Sequence, residues 1–306
     1  MDVPRVVVTG VGTVNPLGLN TEEFWKNAVE GRSGIAPITR FDSTNFYVKV
    51  AGEVKGFDAY RYMDPKIADR NPRAVHFGLA ATQEAMMQAG IDMNREVPER
   101  VGVCIACMSE SDYIVKQAGI LERRGPRRVD PLFVARSGPS APAMQIGMVY
   151  QARGPNCSPN SLCASGIDAI GTALNFIKLG YADVMIAGGS DSCLSPLGIA
   201  GLDILGAVTR EPDPAIACRP FDAERSGFVF GEGAGIVVLE SLEHAKARGA
   251  EILVDLAGAG WSFDAFDQTA PASEPEAYAM RLAMDQAGIE PDGIAYVNAH
   301  GTSTRL

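Results

Sequence analysis

The chain has 306 residues, 46% hydrophobic and 21% charged, which gives it material for a large core in one large or two medium domains. Its net charge of −10 argues against a nucleic-acid module, whose affinity comes largely from cationic contacts to phosphate, while still allowing a local basic patch. No stretch approaches the apolar length of a membrane span, and the start MDVPRVVVTG lacks the basic end, apolar core and cleavage site of a signal peptide. The expectation is a cytoplasmic protein.

The run Val6 to Thr9 reads as a short buried strand, followed by Gly10 and Gly12. The third glycine of a dinucleotide loop is absent, since Asn15 stands there and Pro16 follows, so nucleotide binding is not expected. RAVHFGLAATQEAMMQAGI carries apolar residues at helical spacing and stops at Gly90, with His76 read as a packed or partly exposed helix residue. RVGVCIACMSE reads as a buried strand. Its Cys104 and Cys107 have C-x-x-C spacing, but residues three apart on a strand face opposite ways, and no second cysteine or histidine pair completes a zinc set. Six cysteines in so long a chain are not a disulfide scaffold, and no metal is expected.

GIDAIGTALNFIKLG predicts a helix with Ile167, Ile170, Leu174 and Ile177 on one stripe and Gly180 as its stop. It leads into Val184 to Ala187, apolar on both faces and suited to a covered central strand. GAGIVVLESLEHAKARGA gives a further strand and an amphipathic helix, with His244 expected on its solvated surface. Strands alternating with helices imply an α/β fold. RVVVTGVG and ILVDLAGAG, at residues 252–260, both end in Gly-x-Gly, so each could open a similar half. IAYVNAHGTSTRL reads as a strand entering a polar loop. A domain seldom stops at such a point, and the expectation is a truncated chain.

The chemistry centres on Cys163. It stands among small and polar residues at or just before the start of a helix, where unpaired N–H groups and the helix dipole favour thiolate, the nucleophilic form. Ala164, Ser165 and Gly166 leave room for a substrate, in the manner of a strand–turn–helix nucleophile elbow. Of the three histidines, His300 alone lies in a polar, glycine-containing loop after a strand. A cysteine and a histidine would serve an acyl transferase or a hydrolase equally.

SLCASGIDAIG, DVMIAGGSD, CRPFDAERSGFVFGEGAGIVVLE and YVNAHGTST, in that order, resemble the type II-like β-ketoacyl-acyl-carrier-protein synthases of the thiolase superfamily, and VVVTGVGTVNPLG and GRSGIAPITRFD fit the same pattern. The resemblance implies an αβαβα sandwich of two related halves, residues 1–250 and an incomplete 251–306. It implies a homodimer, paired through the tract from Leu132 to Gly154. The reaction implied is decarboxylative Claisen condensation of a Cys163-bound acyl group with malonyl carried on acyl carrier protein. Cys163 would supply half of an oxyanion hole, His300 would hydrogen-bond the malonyl thioester oxygen, and Thr302 and Thr304 would hold the phosphopantetheine arm. No cofactor beyond that arm is implied. The acidic carrier would dock on Lys66, Arg70 and Arg73, on Arg123, Arg124, Arg127 and Arg128, and on Arg210.

Four departures from the family pattern stand out. The family's lysine, second histidine and glycine-rich loop would fall beyond Leu306, so this chain is expected to have little activity alone and poor solubility. Leu162 replaces a small residue. Cys107, Met108 and Ser109 stand in a stretch usually richer in glycine, where they would bear on acyl chain length. Asp267 stands where a histidine is common. Alternative readings are a polyketide ketosynthase, a non-catalytic partner subunit like the chain-length factors, which usually lack the nucleophile, and a cysteine hydrolase.

Overall fold

The computed structural model describes residues 3–267 and 270–305. β1 (Val6–Val14) extends well past Thr9 and is buried along most of its length. Then come α1 (Thr21–Val29), the short strands β2 (Ala36–Pro37) and β3 (Val50–Ala51), α2 (Pro65–Arg70) and α3 (Arg73–Ala89). α3 stops at Gly90, whose φ of 66° is the left-handed turn that glycine takes without a Cβ penalty. β4 (Val101–Ala106), α4 (Ser111–Arg124), α5 (Phe133–Ser137), α6 (Ala141–Tyr150) and β5 (Asn156–Cys157) follow. α7 (Ser165–Lys178), β6 (Val184–Asp191), α8 (Pro196–Leu205), β7 (Gly233–Ser241) and α9 (Leu242–Ala247) come next. β8 (Val254–Asp255) and α10 (Ser273–Ala287) complete the order.

Six strands make one mixed sheet in the order β5-β4-β6-β7-β1-β8. β4 is parallel to β5 and β6, and the remaining pairs are antiparallel. One face is covered by α3 and α6, whose Val75, Phe77 and Ile146 share a core with Val103, Ile105, Ile186 and Val238. The other face is covered by α7, where Ala169, Ala173, Leu174 and Ile177 meet Met185, Ala187 and Leu239. Fully burying a leucine or isoleucine is worth about 1.5–3 kcal/mol, so these two seams fix the sheet between its helices. The expected α7 stripe is corrected at one end: Ile167 is 71% exposed, because it lies about 200° round the helix from Ser165, which is buried.

Gly10 and Gly12 are not a loop. A Cβ on Gly10 would lie 2.0 Å from the Ala85 carbonyl oxygen, and one on Gly12 would lie 2.0 Å from that of Ala81. The two glycines let α3 press directly on β1. The second Gly-x-Gly repeats this contact: a Cβ on Gly258 would lie 2.3 Å from the Ala283 oxygen, and one on Gly260 2.1 Å from that of Ala279, both in α10. Between them the chain alternates, as an extended segment must, and Trp261 and Ala259 turn the other way onto Gly171 of α7. The layers therefore read α3/α6, sheet, α7, the 258–261 segment, α10. This is an α/β fold with the layering expected of a thiolase-like sandwich.

Two expectations are corrected here. Residues 294–299 form no strand among the described residues. They are exposed, and an apolar segment without a neighbouring strand has no ladder to join. His244 is not simply solvated. It lies half-buried between Glu240 (Nδ1 to Oε2, 2.6 Å) and Glu96 (Nε2 to Oε2, 3.0 Å), because Glu240 is fully buried and collects His244, Arg248 and Thr9 around it. No helix among the described residues is long and apolar enough to cross a membrane.

Candidate active site

The turn before α7 is a single 3-10 turn, Leu162–Ala164, and it presents Cys163 exposed at the helix N-terminus. Leu162 takes a left-handed φ of 57°, which costs a non-glycine residue about 1–2 kcal/mol. Ser165 supports that turn. Its Oγ accepts the Ser161 N–H (2.8 Å) and donates to the Leu162 carbonyl (2.6 Å). The Ser161 hydroxyl donates to Asp168, an acid in the first turn of α7 where the helix dipole favours it. Gly166 leaves open space, since a Cβ there would meet nothing within 4 Å.

Cys163 and Leu162 line a cleft of about 670 Å³ at the ends of β1, β4, β6 and β7, together with Cys107, Met108 and Asp191. Asp191 ties the strand ends together by accepting N–H groups from Met108 (2.7 Å) and Cys193 (3.0 Å). Behind it lies Glu110, 1% exposed, with no hydrogen-bond partner for Oε1. Burial, and then the charge of Asp191, push the Glu110 carboxyl up to about 8. Burial raises Asp191 too, and it pushes the Cys193 thiol up to about 12. Cys107 is buried and raised in the same way, so neither cysteine competes with Cys163 as a nucleophile. Cys104 faces away from Cys107 and pairs instead with Cys157. No cluster of metal-ligating residues occurs among the described residues.

His300 is exposed, and no hydrogen bond joins it to Cys163; neither it nor Thr302 or Thr304 lines the cleft. The loop after it is anchored. Ser303 is buried in the left-handed region (φ 71°); its Oγ accepts the Arg219 N–H (3.1 Å) and its carbonyl accepts the Gly227 N–H (2.9 Å). Arg225 donates Nε to the Thr304 carbonyl (2.6 Å) and Nη2 to that of Arg305 (3.1 Å). Thr302 and Thr304 are brought together, with their hydroxyls 2.8 Å apart. These anchors, and the Glu110–Asp191 wall, are what reading the sequence misses. CRPFDAERSG signals only that a polar loop exists, and nothing in it points to Ser303.

Among the basic residues, Lys66, Arg70, Arg123, Arg124, Arg127 and Arg128 are exposed and form no ion pair among the described residues. Arg73 is spent on Glu232 (2.8 Å) and the Val54 carbonyl (2.7 Å), and Arg210 on Asp203 (2.7 Å) and the Tyr47 ring. Asp267 accepts the Ala270 N–H (3.0 Å).

A strained turn that offers a thiol at a helix N-terminus, in a layered α/β fold, is an arrangement that acyl transfer through a thioester can use. The sequence matches the β-ketoacyl synthase N-terminal domain over residues 4–245 and the C-terminal domain over residues 253–306. The chain belongs to the β-ketoacyl synthase family. It is 42% identical to the 3-oxoacyl-[acyl-carrier-protein] synthase 2 of Staphylococcus aureus (strain COL), over 98% of this chain and 73% of the relative. Among solved structures it is similar to the ishigamide ketosynthase/chain length factor, with a TM-score of 0.91 and 34% identity over 99% of this chain and 75% of that one. It is also similar to a type II polyketide acyl-carrier protein complex with its hexaketide-bound ketosynthase, with a TM-score of 0.89 and 31% identity over 99% and 75% of the two chains.

Proposed function

We propose that this chain carries the acyl-accepting half of a 3-oxoacyl-acyl-carrier-protein synthase acting in fatty-acid elongation. The observation that carries the reading is the exposed Cys163 thiol at the N-terminus of α7, opening on a cleft of about 670 Å³. Cys163 attacks the thioester of an acyl carrier; its S–C bond forms as the carrier's thiol leaves. The Cys163 N–H, among the unpaired donors at the start of the helix, stabilises the oxyanion of that transfer. Malonyl on a second carrier then loses carbon dioxide. The resulting enolate carbon attacks the acyl carbonyl, Cys163 departs as thiolate, and the 3-oxoacyl chain, two carbons longer, stays on the carrier. His300 would hydrogen-bond the enolate oxygen, and Thr302 and Thr304, with hydroxyls already paired, suit the amide-rich phosphopantetheine arm. The reaction needs no metal and no nucleotide.

The partner is acyl carrier protein. The free arginines Arg123, Arg124, Arg127 and Arg128 form its docking patch, with Lys66 and Arg70 as a second group. A basic patch on a chain of net charge −10 steers an acidic partner to one face. We read residues 1–250 as the first half and 251–306 as the start of the second, in a cytoplasmic homodimer paired through the tract around α5 and α6. The solved relatives described as a ketosynthase with a carrier protein and as a ketosynthase/chain length factor support the carrier and subunit readings. Incubation with an acyl-loaded carrier separates the classes. A stable acyl-enzyme supports the synthase, release of free acid a hydrolase, and absence of any adduct a non-catalytic subunit.

A further inference from the structure

We infer that Ser161 and Asp168 are a positioning pair for acyl transfer, holding the turn that sets Cys163 in the cleft. The inference rests on the reading of Cys163 as the acyl acceptor. The Cys163 side chain is exposed, so its direction is set by the backbone that carries it. Leu162, immediately before it, stands at a φ of 57°, and Cys163 follows within a single 3-10 turn that runs into α7. A non-glycine residue stays in that left-handed region only where its surroundings over-determine it.

Side chains on both sides of the thiol supply that constraint. Asn160 ties the turn to the exit of β4: its Nδ2 donates to the Met108 carbonyl (3.1 Å), and its Oδ1 accepts the Leu162 N–H (3.4 Å). Ser165 accepts the Ser161 N–H and donates to the Leu162 carbonyl. The Ser161 hydroxyl donates to Asp168 Oδ2. Ser161 precedes Leu162 and Cys163 while Asp168 follows them, so this last bond closes a loop around the nucleophile. Ser165 is buried, and its two bonds belong to the packing of the turn. Ser161 is exposed and Asp168 half-buried, so neither serves to fill the core. Neither lines the cleft, and they act through the turn rather than on the acyl group. Without their bond Leu162 is free to relax toward negative φ, which swings both the Cys163 sulfur and the Cys163 N–H. A displacement of about 1 Å at a reacting group can cost on the order of a hundredfold in rate.

The test compares Ser161→Ala and Asp168→Ala with Ser161→Thr and Asp168→Asn, which keep the hydroxyl and an acceptor oxygen. The first readout is the rate of Cys163 thioester formation against the concentration of an acyl-loaded carrier, followed by mass spectrometry. The alanine variants should lose about ten- to a hundredfold in the limiting rate with the half-saturating carrier concentration unchanged, and the conservative variants should stay within about threefold of wild type. Alanine variants as fast as wild type would overturn the inference. So would Asp168→Asn as slow as Asp168→Ala, since charge rather than the hydrogen bond would then matter. The second readout is amide hydrogen exchange over residues 161–165, which needs no carrier. It should quicken about tenfold in both alanine variants, while the later turns of α7 and the conservative variants keep wild-type protection. Unchanged exchange overturns the inference whatever the acylation assay gives. Absence of acylation in the wild type, with the exchange pattern present, overturns the functional reading instead.

Discussion

Replacing Glu110 with glutamine removes an ionisable group from behind the cleft without changing its shape. In the unfolded chain the carboxyl ionises near 4.5; in the folded chain burial and Asp191 hold its proton until about 8. Across that window the unfolded state binds fewer protons, so the native protein loses stability as pH rises. At about 1.4 kcal/mol per pH unit, the full interval is worth about 5 kcal/mol, an upper figure because water penetration screens buried charge. Glu110→Gln should therefore differ little from wild type at pH 4, apart from about 1 kcal/mol for the changed hydrogen bonding at an oxygen that has no partner. By pH 9 it should be more stable by several kcal/mol. Asp191, also raised by burial, contributes in the same direction to both proteins. Urea denaturation at successive pH values measures the difference directly. A stability difference that stays flat between pH 4 and 9 would refute the reasoning.

Glu240 titrates with the opposite sign. Burial opposes ionisation there, but hydrogen bonds from Arg248, His244 and Thr9 overcome it and hold the carboxyl at about 2, so about 3 kcal/mol of stability present above 4.5 should be lost as pH falls toward 2. Acid titration of Glu240→Gln should lack that loss. Gly12→Ala should destabilise by about 3 kcal/mol or prevent folding, since its Cβ would lie 2.0 Å from the Ala81 oxygen; a thermal midpoint equal to wild type would count against the β1–α3 seam. Arg225→Ala should speed amide hydrogen exchange at residues 302–305 while leaving the sheet protected, because it removes the donors to the Thr304 and Arg305 carbonyls. Reversing Arg127 and Arg128 to glutamate should weaken carrier binding about tenfold at low salt and by much less at high salt, as surface calorimetry or fluorescence titration would read; unchanged low-salt affinity would remove them from the docking patch.

Much of the fold is legible in local pattern. Gly90 ends α3 and Gly180 follows α7 because each supplies the left-handed turn that a helix end needs. The Gly-x-Gly echo is visible as letters, but its meaning is not. Only the positions of Ala81, Ala85, Ala279 and Ala283 show that both glycine pairs seat a helix on an extended segment. Cys163 is readable because its chemistry depends on neighbours in sequence: small residues and a helix start. The Glu110–Asp191 wall, the Cys104–Cys157 contact and the Ser303 anchor are not readable, since each joins segments distant in the chain. The same limit explains His244 and Ile167. Helical periodicity assigns a face, but tertiary packing decides that Glu240 covers one side of α9 and that the first turn of α7 buries Ser165 rather than Ile167.

The account turns on which sulfur takes the acyl group. Peptide mapping after incubation with an acyl-loaded carrier should find the thioester on Cys163 and nowhere else, and Cys163→Ala should abolish it while keeping the fold. An acyl group on Cys218, the other exposed thiol, or an adduct that persists in Cys163→Ala, would contradict it.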